Sequence, residues 1–325
     1  MKRLAWVVVV LIMLLMGGLL MGLAMGPTKL DFHHLVSALF VPGDLNHTLI
    51  WDLRAPRVAA ALLVGCCLGA AGHLLQTSTR NPLGDPQLFG VSGGAAVISA
   101  LALAGIVHPG IWGTFALAVL ASLAVAALIT FFASRQGLSP ARMALIGVSL
   151  SALTAAVATG ILSAARVFGQ QPLYFIGGSF ANRSWSDIVP ALPFLGVGLI
   201  MALPTLGNLN VMALGDQVSA NMGAEPGRTR AMSIASASIL GGTAVAVAGM
   251  VGFIGLLVPH IARWLVGHDA RSSFAVSLLL GAVIAVYADQ IARLAFMPSE
   301  VPVGMVSAVL GAPLMIYVAR RTRWN

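Results

Sequence analysis

Long apolar stretches, broken by short polar ones, run through almost the whole chain. Uncharged or nearly uncharged windows recur ten times, at 4–25, 58–79, 88–107, 111–134, 143–165, 188–206, 231–250, 252–266, 274–296 and 303–319. About 20 apolar residues at ~1.5 Å each cover the ~30 Å hydrocarbon core of a bilayer, so each window predicts a transmembrane helix. The eighth window is short, holds His260 and Arg263, and almost continues the seventh; nine to eleven spans fit the pattern and ten fit it best. The first follows Lys2 and Arg3. Its apolar run exceeds the roughly 7–15 residues of a secretory signal and is read as a retained helix. The expected fold class is an all-α integral membrane bundle of about ten transmembrane helices, with 1–325 forming one domain.

Composition closes off the alternatives. Of 325 residues, 58% are hydrophobic and 9% charged, and the mean hydropathy is +0.94. A soluble domain carries about 25% charged residues, so this chain cannot clothe a water-facing surface and a soluble enzyme is excluded. The net charge of +8 comes without a concentrated basic stripe and points to no nucleic acid. It fits basic loops on the cytoplasmic side. With ten spans and the N-terminus inside, twelve basic residues fall on the cytoplasmic side: Lys2, Arg3, Arg80, Arg135, Arg142, Arg228, Arg230, Arg263, Arg271, Arg320, Arg321 and Arg323. Six fall outside: Lys29, Arg54, Arg57, Arg166, Arg183 and Arg293. That asymmetry sets the expected orientation, with both termini cytoplasmic.

The chemistry-bearing residues are few. Neither of the two lysines completes a GxxxxGK[ST] phosphate loop, so no nucleotide hydrolysis is assigned to this chain. No catalytic residue, metal ligand or cofactor is expected. Any ATP must be hydrolysed by a separate subunit, which needs a docking surface. The inner segment 207–230 is the candidate: Leu214, Val218 and Met222 fall at i, i+4 and i+8, Asp216 stands near the start of a short helix and Gly223 at its end. Such a helix either seats in a partner's groove or lies on lipid. Arg54, Arg57 and Arg293 gather near the outer ends of the second and ninth spans. They either meet carboxylates of a docking protein or an anionic substrate, or snorkel to headgroups. Asp289 and Arg293, at i and i+4, are expected to pair. His73 and His260, with Pro259 beside the latter, read as intramembrane structural residues, and His33-His34 is a weak metal signal. The neighbours Cys66 and Cys67 suit packing better than a strained disulfide. The run 81–86, Asn-Pro-Leu-Gly-Asp-Pro, reads as a tight turn. Gly65, Gly69 and Gly72 give the second span a flat face for close helix contact.

Six runs, in order and spaced from about residue 51 to the C-terminus, resemble one family: LRAPRVAAALLVG (53–65), RNPLGDPQLFGVSGGAA (80–96), ALGDQVSANMG (213–223), GFIGLLVPHIAR (252–263), ADQIAR (288–293) and EVPVGMVSAVLGAP (300–313). They are similar to the FecCD-type permeases, membrane subunits of ABC importers for iron-siderophores, haem and cobalamin. The resemblance implies a type II ABC importer permease bundle with a second permease subunit, as a homodimer or with a homologous chain. It also implies two cytoplasmic ABC ATPase subunits and a periplasmic or lipid-anchored substrate-binding protein. Leu214, Gly215, Asp216, Val218, Met222 and Gly223 match the run that meets the ATPase. Arg54, Arg57 and Arg293 match positions that face the binding protein. Ala55 stands where Leu is frequent in the family and Gly84 where Ala is usual.

Overall fold

The computed structural model describes residues 2–26, 38, 45–136, 140–167, 169–297 and 299–321, and all regular structure among them is helical. The helices are α1 (Lys2–Ala24), α2 (Leu45–Thr79), α3 (Gly93–Leu103), α4 (Gly110–Gln136), α5 (Pro140–Ala164), α6 (Gln170–Gly177), α7 (Trp185–Ala202) and α8 (Thr205–Met212). There follow α9 (Asp216–Asn221), α10 (Pro226–Ala248), α11 (Ile254–Val266), α12 (Ala270–Leu294) and α13 (Val303–Arg321). Seven described helices are long and apolar enough to cross a membrane, and three shorter apolar ones, Gly93–Leu103, Ile254–Val266 and Val303–Pro313, occupy the other three windows. Lys29, Arg323 and the His33-His34 pair lie outside the described residues.

The core forms where α2, α10 and α12 pack. Small residues let α2 and α12 touch backbone to backbone: a Cβ on Gly65 would stand 2.3 Å from the Gly281 carbonyl oxygen, and one on Gly69 2.2 Å from that of Ser277. Without a solvent-driven hydrophobic effect between helices in lipid, such close approach is what holds them together. Helices α1 and α5 lie at the periphery, with Trp6, Val9, Met13 and Met16 of α1 and Leu145, Val148 and Leu153 of α5 exposed where lipid would cover them.

Side-chain bonds fix the helix directions. Arg3 at the start of α1 donates to the Trp264 carbonyl near the end of α11. At the other end of α1, Gln290 and Arg293 of α12 donate to the carbonyls of Gly18 and Gly22. Helices α1 and α12 therefore run parallel, and α2 packs antiparallel to α12. One end of the bundle, here the amino-terminal face, carries Arg3, Arg80, α9 and Asp269. The opposite face carries Arg54, Arg57, Arg293 and the turn at 181–187.

Two helices stop short of a crossing. At ~1.5 Å per residue, the 11 residues of α3 and 13 of α11 span about 16 and 20 Å, against a ~30 Å hydrocarbon core. The missing depth is made up by irregular chain that runs into the bundle. Residues 81–86 contain the tight turn their Pro and Gly content suggests, with the Gly84 N–H donating to the Asn81 carbonyl at 3.0 Å, but the turn is partly sunk into the bundle: Asn81, Asp85 and the adjoining Phe89 and Val91 are buried. Irregular backbone at membrane depth persists only when its polar groups are satisfied inside the protein, and several internal bonds meet that need. Asp85 accepts from the N–H groups of Gln87 and Leu88. Gln76 donates to the carbonyls of Gly255 and Leu256, and Ser307 to that of Gly252. The segment 166–187 is likewise more than a loop, since it contains α6. That helix docks on the break after α10 through Met250 N–H donating to the Phe175 carbonyl.

Candidate coupling face and outer charge cluster

On the amino-terminal face, α9 is a six-residue helix set between two glycines in the left-handed region, Gly215 at φ +107 and Gly223 at φ +82. Only glycine takes such angles without strain, so both ends of the helix turn sharply where the sequence places these residues. Leu214, Val218 and Met222 are exposed by 61, 47 and 63%, but of the three only Val218 lies within the helix, Leu214 preceding Gly215 and Met222 forming the C-cap. Asp216, in the first turn, is half-exposed and pairs with arginines of two neighbouring helices. It accepts from Arg80 at the end of α2 and from Arg230 Nη2 in the first turns of α10, at 3.1 and 3.0 Å. Helix α8 leads into this element and is itself anchored by Asn210, which donates to Asp269, the N-cap of α12, at 2.8 Å. The Asp269 carboxyl is held below its ordinary range by the N–H and hydroxyl of Ser272.

The opposite face holds a buried charge cluster. A widened π-helical stretch over Leu49–Arg54 precedes Pro56 and leaves Ile50 and Arg54 buried. Arg54 donates to the carbonyls of Leu23 and Ala24 at 2.6 and 2.8 Å, capping the end of α1. Arg57 grips Asp289 through three bonds of 2.8–3.1 Å and Glu300 through a fourth of 2.9 Å. The expected Asp289–Arg293 pair is therefore corrected. A guanidinium on the adjacent helix reaches the carboxylate with forked geometry, while Arg293 turns to the Gly22 carbonyl at 3.1 Å. Arg54, Arg57 and Arg293 are only 4, 9 and 4% exposed, so their guanidinium groups face the bundle rather than an external surface. Pro259 is buried within α11, and His260 Nδ1 lies 3.2 Å from the Leu256 carbonyl. His73 packs edge-on against Phe274, and Cys66 and Cys67 are buried thiols with no disulfide. No cluster of three or more metal-ligating side chains occurs among the described residues.

Between the two faces, the irregular segments converge on a groove of about 490 Å³ lined by Gln87, Leu88, Ser151, Ile176, Phe253 and Met305 among others. Its walls are mainly apolar side chains and helix breaks, and Phe253 sits at φ +68. Sequence reasoning missed Glu300, Arg80 and Arg230 as partners of these clusters. Their separations of 243, 136 and 14 residues carry no local periodicity, and only the order of the motif runs hints that they meet.

The sequence profile of the FecCD transport family matches residues 11–321. The Fe(3+)-citrate import system permease protein YfmD of Bacillus subtilis (strain 168) is 35% identical over 99% of this chain and 96% of its own length. The ferric enterobactin transport system permease protein FepD of Escherichia coli (strain K12) is 38% identical over 84% of this chain and 82% of its own. A solved structure described as an inward-facing conformation of a metal-chelate type ABC transporter is similar with a TM-score of 0.79 and 26% identity, covering 96% of this chain and 98% of that one. With a helical bundle of matching extent and a profile match spanning nearly the whole sequence, the chain belongs to the FecCD transport family.

Proposed function

We propose that this chain is the permease subunit of an ATP-driven importer of an iron(III) chelate, with residues 1–325 acting as one transmembrane permease domain. It works beside a second permease subunit, two cytoplasmic ABC ATPases and a periplasmic or lipid-anchored substrate-binding protein. The observation that carries the reading is the set of exposed apolar residues Leu214, Val218 and Met222 in and beside a short helix at the amino-terminal face. An apolar ridge on an otherwise polar connection fits a groove in a partner. The chelate class rests on the relatives, whose names assign them ferric citrate and ferric enterobactin.

The amino-terminal face is placed in the cytoplasm, with both termini, because Lys2, Arg3, Arg80, Arg228, Arg230, Arg263 and Arg271 belong to it. The groove of about 490 Å³ is one wall of the pathway. Its weakly polar lining suits a conduit that must release what it admits. The binding protein docks on the opposite face. There Arg54, Arg57 and Arg293 act by holding the ends of α1, α2 and α12 in register, since Arg57 is paired with Asp289 and the other two donate to the carbonyl end of α1. A proton-coupled carrier using Asp289 gains no support, because that carboxylate is tied down by three bonds from Arg57.

The test is Val218→Asp. A charge placed in the apolar contact is expected to abolish co-purification of the ATPase with the otherwise intact permease. Undiminished co-purification would overturn the coupling role of α9.

A further inference from the structure

The resemblance assigns Asp216 to the surface that meets the ATPase, yet its half-exposed carboxylate is paired with two arginines of the permease itself. Three elements meet on it. Arg80 is the last residue of the α2 end and sits at φ +49, a left-handed angle that side chains rarely adopt. Arg230 belongs to the first turns of α10 and shares one guanidinium between two partners: Nη2 donates to both Asp216 oxygens at 3.1 and 3.0 Å, and Nε donates to the Ser78 carbonyl at 3.1 Å. The third element is α9 itself, whose hinges are Gly215 and Gly223. Among the described residues, no other ion pair joins α9 to the bundle.

We propose that Asp216 is a positioning residue for transport: a double-guanidinium clamp through which displacement of α9 is passed to the ends of α2 and α10. This rests on the coupling role given to α9 above. The division of labour within α9 follows from the geometry. Val218 and the apolar residues beside it hold the partner, and Asp216 holds the permease. Helix α2 leads through Arg80 into the partly buried segment 81–92, and α10 ends at the break 249–253, so the chain that leaves each clamped helix, at Asp85, Gln87 and Leu88 and at Met250, Gly252 and Phe253, lines the groove. A rigid joint at one end of them moves the irregular segments at its wall. With glycine hinges on either side, α9 without the clamp would swing and leave both helices in place.

The experiment compares Asp216→Asn, Asp216→Glu, Arg80→Gln and Val218→Asp in the assembled importer, with permease, ATPase and binding protein in vesicles, using a ferric chelate as probe. Three quantities are read: ATPase co-purification, ATP hydrolysis, and chelate taken up per ATP hydrolysed. Asp216→Asn is expected to keep the ATPase bound and hydrolysing while uptake per ATP falls roughly tenfold, the scale of coupling carried by such networks. Asp216→Glu recovers most of the ratio, and the Asp216→Asn/Arg80→Gln double variant is no worse than Asp216→Asn alone, as for residues of one network. Loss of ATPase binding in Asp216→Asn, or an unchanged uptake per ATP, overturns the clamp. Retained ATPase binding in Val218→Asp overturns instead the underlying reading of α9. Should Asp216→Asn not assemble, Arg80→Gln decides the matter, since Arg230 still holds Asp216 in that variant.

Discussion

Removing either member of the Arg57–Asp289 pair is expected to destabilise the bundle, and by unequal amounts. Breaking a buried ion pair costs about 3–5 kcal/mol, because the remaining charge is left without compensation. In Asp289→Ala, Arg57 keeps its 2.9 Å bond to Glu300, whose side chain is 25% exposed. One charge-assisted bond survives and the loss falls near the lower figure, about 3 kcal/mol. In Arg57→Ala, Asp289 is left 2% exposed with all three of its bonds from Arg57 gone. The loss then approaches about 5 kcal/mol. At about 2 °C per kcal/mol for a chain of this size, thermal unfolding in detergent should shift down by about 6 °C and about 10 °C. The double variant Arg57→Met/Asp289→Leu removes both charges and fills the space with apolar atoms, and is expected to recover to within about 1–2 kcal/mol of the parent. Additive losses in the double variant, or a shift below about 1 °C in Asp289→Ala, would refute the assignment of a tight buried pair.

Other expectations follow from the same geometry. Gly69→Ala places a methyl group 2.2 Å from the Ser277 carbonyl oxygen and should cost about 1–3 kcal/mol through forced separation of α2 and α12, read as a lower unfolding midpoint. Arg54→Gln strips the bonds to the Leu23 and Ala24 carbonyls and should release the end of α1, seen as faster proteolysis or hydrogen exchange at 20–26. If this arginine instead served docking directly, binding-protein affinity and its salt slope would change while exchange at α1 would not. Asp269 caps α12 through the Ser272 N–H at 2.9 Å, so Asp269→Ala should cost about 0.5–2 kcal/mol. Since its carboxyl is held below the ordinary range, this contribution is present above the unfolded-state value near 3.9 and is lost as pH falls through the lower folded value. A difference in stability between Asp269→Ala and parent that stays constant from pH 6 to pH 2.5 would contradict the cap.

Much of this architecture is written in the hydrophobic pattern. Ten windows predict ten apolar helices because lipid demands a fixed length of uncharged residues, and the stripe 214–218–222 with Gly223 marks α9 because helix periodicity and glycine termination are local rules. The departures arise where local rules are blind to depth. Pro82, Gly84 and Pro86 read as a tight turn by composition, but its depth is not legible: Asp85 and Asn81 bond N–H groups of their own segment, and Gly255 leaves room for Asp85 and Pro86 against α11. Spacing i, i+4 on α12 pairs Asp289 with Arg293, whereas the helix packed against it supplies Arg57 with a better-aligned fork. The three outer arginines are recognisable as a group in the sequence. Their burial is not, because it depends on the carbonyl ends of α1 closing over them.

Under the proposed function, transport is expected to depend on ATP hydrolysed in a partner seated on α9. Uptake of a ferric chelate into vesicles containing the permease and binding protein, measured with and without the ATPase and with a proton uncoupler present, tests it most directly. The account predicts uptake only when ATPase and ATP are both supplied, and no loss on adding the uncoupler. Uptake by the permease without the ATPase, collapsing with the proton gradient, would contradict it.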